Sequence, residues 1–484
     1  MEKKQLKINF ILPPAALSGG PLAILEYANR LIDKGHAVTV TTYPTCFWPD
    51  NWKGKPFPWF NFKGKVVYKK TSRLEKFLFK IIYSSILSFG GNKAQKKAVG
   101  IRDMIDHLII SSFLIGYMPE CDLNIATLWT TAFASFFSKK GKPVYFMQHY
   151  EEVFLQNDLS SILNKLLVRL TYELPMYKVA NSSWLQTKIQ EKFNQLVPFS
   201  NNAIELSDFN IFPKKSDEDG VIRIITFSHP SMWKGFSDVV AAMEKIKKEY
   251  GDKIEWNIFG HVQESFPENN PYCPYKLHKG LPFKELAKLY AISDIAVCAS
   301  WYESFPLPPM EAMACGTATV TTSDGMEDYA FDRKNALVVK PRDIDALYKS
   351  IKELIDNKEL REYLATEGRK TATEYDWPKA VDNREKILLD IFDGNVGYNI
   401  FEPIGLGFKD AFGIPYEKMP KDINIKDGLI IEYNSKKYLI HNGAKRQFMD
   451  ASIADSLDVE TIQIDALTFE RIPVGMPIVT KYDI

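Results

Sequence analysis

The strongest constraint in this chain is a pattern that occurs twice. A short apolar run is followed by a loop, then by apolar residues at helical spacing, then by another apolar run. Ile8-Asn9-Phe10-Ile11-Leu12 reads as a strand, Ser18-Gly19-Gly20 as a loop, and Leu22, Leu25, Ala28, Leu31 and Ile32 as one face of a helix. Gly35 stands where that helix ends, and residues 36–41 form the next strand. This is a β-α-β unit with glycines at the carboxyl end of its first strand. Further strands are expected at 123–127, 144–148 and 177–181. The pattern lapses near 197–208 and then restarts with strands at 222–227, 254–259, 295–300, 319–322 and 337–340, and helices at 236–250 and 283–291. The run Ile295 to Ser300 is apolar on both faces, as a buried parallel strand requires. Helical sequence from Asp343 to Phe392 closes this region.

A chain of 484 residues exceeds one core and divides into two or three domains. We assign 1–200 and 201–395 to two Rossmann-like domains and 400–484 to a small β-rich module. In that module Asn442-Gly443 signals a hairpin between two strand-like runs. A net charge of +1 supplies no global field for nucleic acid. The five cysteines, Cys46, Cys121, Cys273, Cys298 and Cys315, are scattered and form no C-x-x-C pair, which fits a reducing, cytoplasmic setting and argues against a zinc site. The apolar run at 8–12 is too short for a secretion signal and reads as a buried strand. No stretch reaches the roughly 20 apolar residues of a membrane span. Residues 69–82 mix basic and large apolar side chains; they suit either peripheral contact with an anionic membrane or an ordinary helix with a wet lysine face.

The chemistry concentrates in Ser300-Trp301-Tyr302-Glu303-Ser304-Phe305-Pro306-Leu307-Pro308-Pro309-Met310-Glu311. Glu303 lies just past a buried strand, where open α/β sheets bind ligands. Pro308 and Pro309 suit a first helical turn, which would also hold Glu311. The backbone from Ser304 through Phe305 and Pro306 to Leu307 can turn N–H groups toward an anion, helped by the dipole of the helix that follows. Both glutamates would otherwise be surface charges.

These residues resemble the E-x7-E signature of the family 4 (group 1) retaining glycosyltransferases, with further landmarks at Ser293-Asp294, Gly325-Met326-Glu327 and residues 335–339. The resemblance implies the GT-B fold, two Rossmann-like domains facing each other across a cleft. It implies a nucleotide-sugar donor, a glycan or lipid-linked glycan acceptor, and no metal or other cofactor. It assigns Glu303 to the donor sugar and Glu311 to the ribose, and makes Lys234 the cation that offsets charge on the departing diphosphate. Where the family places an arginine ahead of that lysine, this chain has His229, only partly charged at neutral pH. Gly19 and Gly20 resemble the glycine loop that lets backbone approach the donor. His149 follows a strand end where the family carries a histidine that bonds the donor sugar; a structural histidine is equally compatible. Glu151 and Glu152 suit acceptor hydroxyls, but read more simply as solvated charges. A sugar-nucleotide epimerase and a degenerate glycan-binding scaffold are the competing readings.

Overall fold

The computed structural model describes residues 4–12, 19–42, 61–68, 114–154, 159–209, 220–260 and 273–396, and parts of 425–472. The basic segment 69–82 and Asn442-Gly443 lie outside them. One compact unit comprises Met1–Val168 and Met176–Val396; the other comprises Arg169–Pro175 and Gly397–Ile484.

The first unit contains two six-stranded sheets. The N-terminal sheet is built from β1 (Lys7–Ile11), β2 (Ala37–Thr42), β3 (Lys65–Tyr68), β4 (Leu123–Ala126), β5 (Lys142–Met147) and β6 (Tyr177–Ala180), in the order β3-β2-β1-β4-β5-β6. All its pairings are parallel. The second is built from β7 (Ile222–Ser228), β8 (Ile254–Gly260), β9 (Lys276–His278), β10 (Ile295–Cys298), β11 (Ala318–Thr322) and β12 (Leu337–Val339), in the order β12-β11-β10-β7-β8-β9. Counted from β7 as first strand, this is the same topology again. In both sheets the strand order reverses between the first and fourth strands, and the crevice above that point is where such sheets take ligands.

Each strand's sequence follows from its place. In β10, Ile295 and Val297 join one hydrophobic cluster while Ala296 joins the cluster on the opposite face. In β1 the polar Asn9 is fully buried, and its cost is offset by bonds to Asn124 (2.8 Å) and from Thr41 (2.8 Å). Helix α1 (Gly19–Asp33) covers the N-terminal sheet through Ile24, Tyr27, Ala28 and Leu31. The helical region after Asp343 divides into Ile344–Asp356, Lys358–Ala372 and Trp377–Asp393. The last of these closes the second half in sequence, yet Trp377, Val381, Leu388 and Ile391 pack into the core of the N-terminal sheet. Its Arg384 is buried between the rings of Tyr27 and Phe146, 3.5 Å from each centroid.

The second unit carries a four-stranded sheet, with β13 (Ile430–Tyr433), β14 (Lys436–His441), β15 (Ala444–Gln447) and β16 (Thr461–Gln463) in the order β15-β14-β13-β16. Ile430 and Leu439 face one cluster, Ile431 and Ile440 the other, the alternation of a pleated sheet.

One glycine fixes how β7 and β10 meet above their tips. Gly235 has φ +65°, and a methyl group there would lie 1.8 Å from the carbonyl oxygen of Ala299. We expect G235A to lower stability by about 3 kcal/mol, combining left-handed strain with a backbone clash. The urea midpoint measures this; an unchanged midpoint would show that the two loops are free to move apart.

Candidate active site

The loop after β7 and the loop after β10 rise side by side at the switch point of the second sheet. Trp301 N–H donates to the Trp233 carbonyl (2.7 Å), and Gly235 abuts Ala299. This backbone contact delivers Lys234 to Glu303: Lys234 Nζ stands 2.6 Å from Glu303 Oε1. The Glu303 side chain is 9% exposed and that of Lys234 is 23% exposed, so the pair is sheltered but reachable. Glu303 is held from behind by Gly325, whose φ is +87° and where a methyl group would lie 2.3 Å from the Glu303 carbonyl oxygen.

Glu311 is the fifth residue of the helix Leu307–Ala314, not a member of its first turn, which holds no acidic residue. The helix begins one residue before Pro308, and this moves the carboxylate into the second turn and inward. It is buried, with Tyr290 Oη donating at 3.4 Å. Burial pushes its carboxyl up to about 7, Tyr290 opposing. Near neutrality Glu311 is therefore able either to donate or to accept a hydrogen bond. Cys298, at the end of β10, is within electrostatic reach of Glu303, Glu311 and Lys234 together, and burial foremost drives its thiol upward. The three charged residues thus share one locality.

The remaining loop residues divide by role. The Phe305 ring is buried against Tyr329 and Tyr375, at 5.2 and 5.6 Å between centroids, so only its backbone is left to face a ligand. The Pro306 carbonyl accepts from Tyr329 Oη (2.7 Å). Of the first three helical positions only Leu307 carries an N–H, because Pro308 and Pro309 have none. Ser304 is buried, and its hydroxyl is bonded to Asn181 and, at 3.0 Å, to Ser182. His229 is half-buried, and its Nδ1 accepts from Ser231 N–H (3.1 Å).

The N-terminal half meets this cluster through the tips of β5 and β6. His149 follows β5; its ring packs edge-on to Tyr302, 6.3 Å between centroids, and to Trp184. Burial lowers its imidazole to about 4, against the pull of Glu303. His149 is neutral at ordinary pH, one ring nitrogen donating and the other accepting, which suits a hydroxyl group rather than a charge. Gly19 and Gly20 open α1; a methyl group on Gly20 would meet Gln148 Oε1 at 3.3 Å, so the glycine turn lies against the neighbour of His149. Glu151 is not solvated: it is 2% exposed, accepts from Trp129 N–H (2.7 Å) at the start of the helix Trp129–Ser138, and burial raises its carboxyl to about 8. Tyr302 Oη donates to the Val153 carbonyl (3.1 Å), and Asp328 Oδ2 accepts from Ser183 N–H (3.0 Å) and Asn201 (2.7 Å).

Sequence reasoning missed Asn181, Ser182, Tyr302 and Asp328. The available signal was positional: Asn181-Ser182-Ser183 is a polar run directly beyond a parallel strand and before a helix, the same place that Gly19-Gly20 occupies. Among the described residues no group of three or more His, Cys, Asp or Glu gathers to hold a metal, and no helix is long and apolar enough to cross a membrane.

Residues 208–371 match the family described as glycosyl transferases group 1. The O-antigen biosynthesis protein RfbC of Myxococcus xanthus is 25% identical over 280 residues, covering 57% of this chain and 21% of its own length. The MMP alpha-(1->4)-mannosyltransferase of Mycolicibacterium hassiacum is 40% identical over 102 residues, 20% of this chain and 25% of that one. The chain thus spans about a fifth to a quarter of these two curated relatives. Sucrose-phosphate synthase from Thermosynechococcus elongatus aligns with a TM-score of 0.59 at 16% identity, covering 81% of this chain and 100% of that one. Anabaena HepE in complex with UDP-glucose aligns at 0.55 and 16%, covering 80% and 100%. The fold is GT-B, with a small β module appended. In the matched region, Lys234, Glu303 and Glu311 are drawn to one end of the sheet.

The raised carboxyl of Glu311 gives a pH test. The unfolded chain ionises at the ordinary 4.5, while the folded chain keeps its proton to about 7. The folded state binds more protons in that window, so Glu311 makes stability fall as pH rises through it. Relative to wild type, E311Q should gain about 3 kcal/mol between about pH 4 and about pH 8, read from denaturant unfolding at both ends. A pH-independent difference would mean that Glu311 is solvated.

Proposed function

We propose that this protein moves a sugar from a nucleotide-sugar donor to a glycan or lipid-linked glycan acceptor, with retention of configuration and without a metal, in envelope polysaccharide synthesis. The observation that carries the reading is the Lys234–Glu303 pair at the switch point of the second sheet, with neutral His149 reaching it from the other half. In this reading the donor diphosphate lies beside the start of the helix Leu307–Ala314 and takes the ammonium of Lys234. Released from that ion pair, Glu303 turns to the sugar hydroxyls. Glu311, able to donate or accept, serves the ribose. His149 bonds a sugar hydroxyl, and Gly19 and Gly20 leave space for the phosphate or acceptor. Lys234 and the helix dipole supply the positive charge that a metal gives elsewhere.

The relatives' names support the substrate class: two are an O-antigen biosynthesis protein and an O-antigen chain mannosyltransferase, and the HepE structure holds UDP-glucose. The protein would act at the cytoplasmic side, in contact with the membrane where its acceptor is lipid-linked. The scaffold reading draws on His229, a weaker phosphate partner than arginine.

K234A should lower sugar transfer roughly 100-fold or more, the scale of one lost transition-state charge partner. Unaltered turnover would remove Lys234 from the chemistry. A thermal-shift panel of UDP, GDP, TDP and their sugars identifies the donor: a ligand at about 100 times its dissociation constant should stabilise the fold by roughly 2.7 kcal/mol. A panel without any shift would favour a degenerate domain.

A further inference from the structure

Among the hydrogen bonds that link the two halves near the site, one is made by a buried amide. Asn181 lies just past β6, 2% exposed. Its Nδ2 donates to the carbonyl oxygen of Gln148 at 2.9 Å, and its Oδ1 accepts from the hydroxyl of Ser304. Gln148 is the residue before His149, and Ser304 is the residue after Glu303. The planar amide therefore spans from the backbone that presents His149 to the loop that presents Glu303, with a single hydrogen bond on each side.

Ser182 reinforces this arrangement. Its hydroxyl meets Ser304 Oγ at 3.0 Å and also accepts from Leu185 N–H (3.1 Å) as N-cap of the helix Ser183–Phe193. The same helix start donates Ser183 N–H to Asp328 of the opposite half (3.0 Å). Asn181, Ser182 and Ser304 are each at most 2% exposed, so none of these polar groups exchanges its partner for water without local opening.

We infer that Asn181 is a positioning residue: its amide sets the distance between His149 and Glu303, and so aligns the donor sugar between the two halves. Ser304 is accordingly a structural partner of Asn181, and its hydroxyl is not a donor contact. The inference rests on the transferase reading above. A site whose two sides belong to different sheets is sensitive to small displacements, since about 1 Å of misplacement costs on the order of 100-fold in rate.

A double-mutant cycle tests this, using N181A, S304A and the combined variant. The isosteric N181D serves as a second probe that keeps the acceptor for Ser304. The cycle is read on kcat, on donor KM, on nucleoside-diphosphate affinity by calorimetry and on the unfolding midpoint. N181A and S304A should each lower kcat roughly 10-fold to 100-fold, with nucleotide affinity held within about 2-fold. The combined variant should be no worse than the poorer single, because both changes break the same link. N181D should keep more activity than N181A. Additive losses in kcat, or a shifted midpoint with unchanged kcat, would overturn the positioning role while leaving the transferase reading intact. A wild-type chain that transfers no sugar would overturn the transferase reading, and the positioning role with it.

Discussion

The site depends on two backbone loops being pressed together above β7 and β10. Parallel strands end with their carbonyl groups pointing into the loops that follow, and at the switch point those loops diverge to opposite faces of the sheet. Here the divergence begins late. Gly235 admits the Ala299 carbonyl at a separation that no side chain permits, and Trp301 bonds to Trp233 before the chains part. Lys234 and Glu303 are the residues next to this contact, so their 2.6 Å pairing follows from backbone packing rather than from the attraction of two flexible side chains.

That distinction decides what the pair is worth. A salt bridge between mobile surface groups contributes little, because holding both side chains costs entropy. A pair delivered by rigid loops and largely removed from water has lost solvation already, and each partner depends on the other for compensation. Glu303 is the more deeply sheltered partner. An anion that engages Lys234 leaves this carboxylate in need of new donors, and sugar hydroxyls are donors. In the proposed reaction, binding of phosphate and binding of sugar are therefore coupled through one ammonium group, without any movement of the sheet.

Much of this was legible in the sequence, and what was legible was periodic or local. The helices Phe236–Tyr250 and Phe283–Ala291 are each one amphipathic stretch between clear breakers, and they stand where apolar spacing places them. The double-faced burial of β10 follows from its unbroken apolar run. The edge strands β3 and β9 escaped detection because they are short and carry the weak alternation of strands with one neighbour. The last helix, Trp377–Asp393, defeats sequence order altogether: a return to the first core is a tertiary fact without a local signature. Glu151 was misjudged for a similar reason. Two adjacent glutamates look solvated in a list of residues, yet the open N-terminus of a neighbouring helix draws one of them inside.

Asn181 illustrates the limit most sharply. On its own the residue is an unremarkable polar group after a strand, and its partners lie 33 and 123 positions away in the chain. Only the folded arrangement shows that a buried side chain with one donor face and one acceptor face is matched to a carbonyl on one half and a hydroxyl on the other. A leucine of similar volume would fill the space but take the side-chain donor from the Gln148 carbonyl and leave the Ser304 hydroxyl with Ser182 alone, where a buried polar group left unsatisfied costs about 1–3 kcal/mol. A polar residue at this point is thus demanded by its two neighbours. Those neighbours are the residues that flank His149 and Glu303, so the accuracy of the site and the satisfaction of buried polar groups are one requirement, met by one side chain.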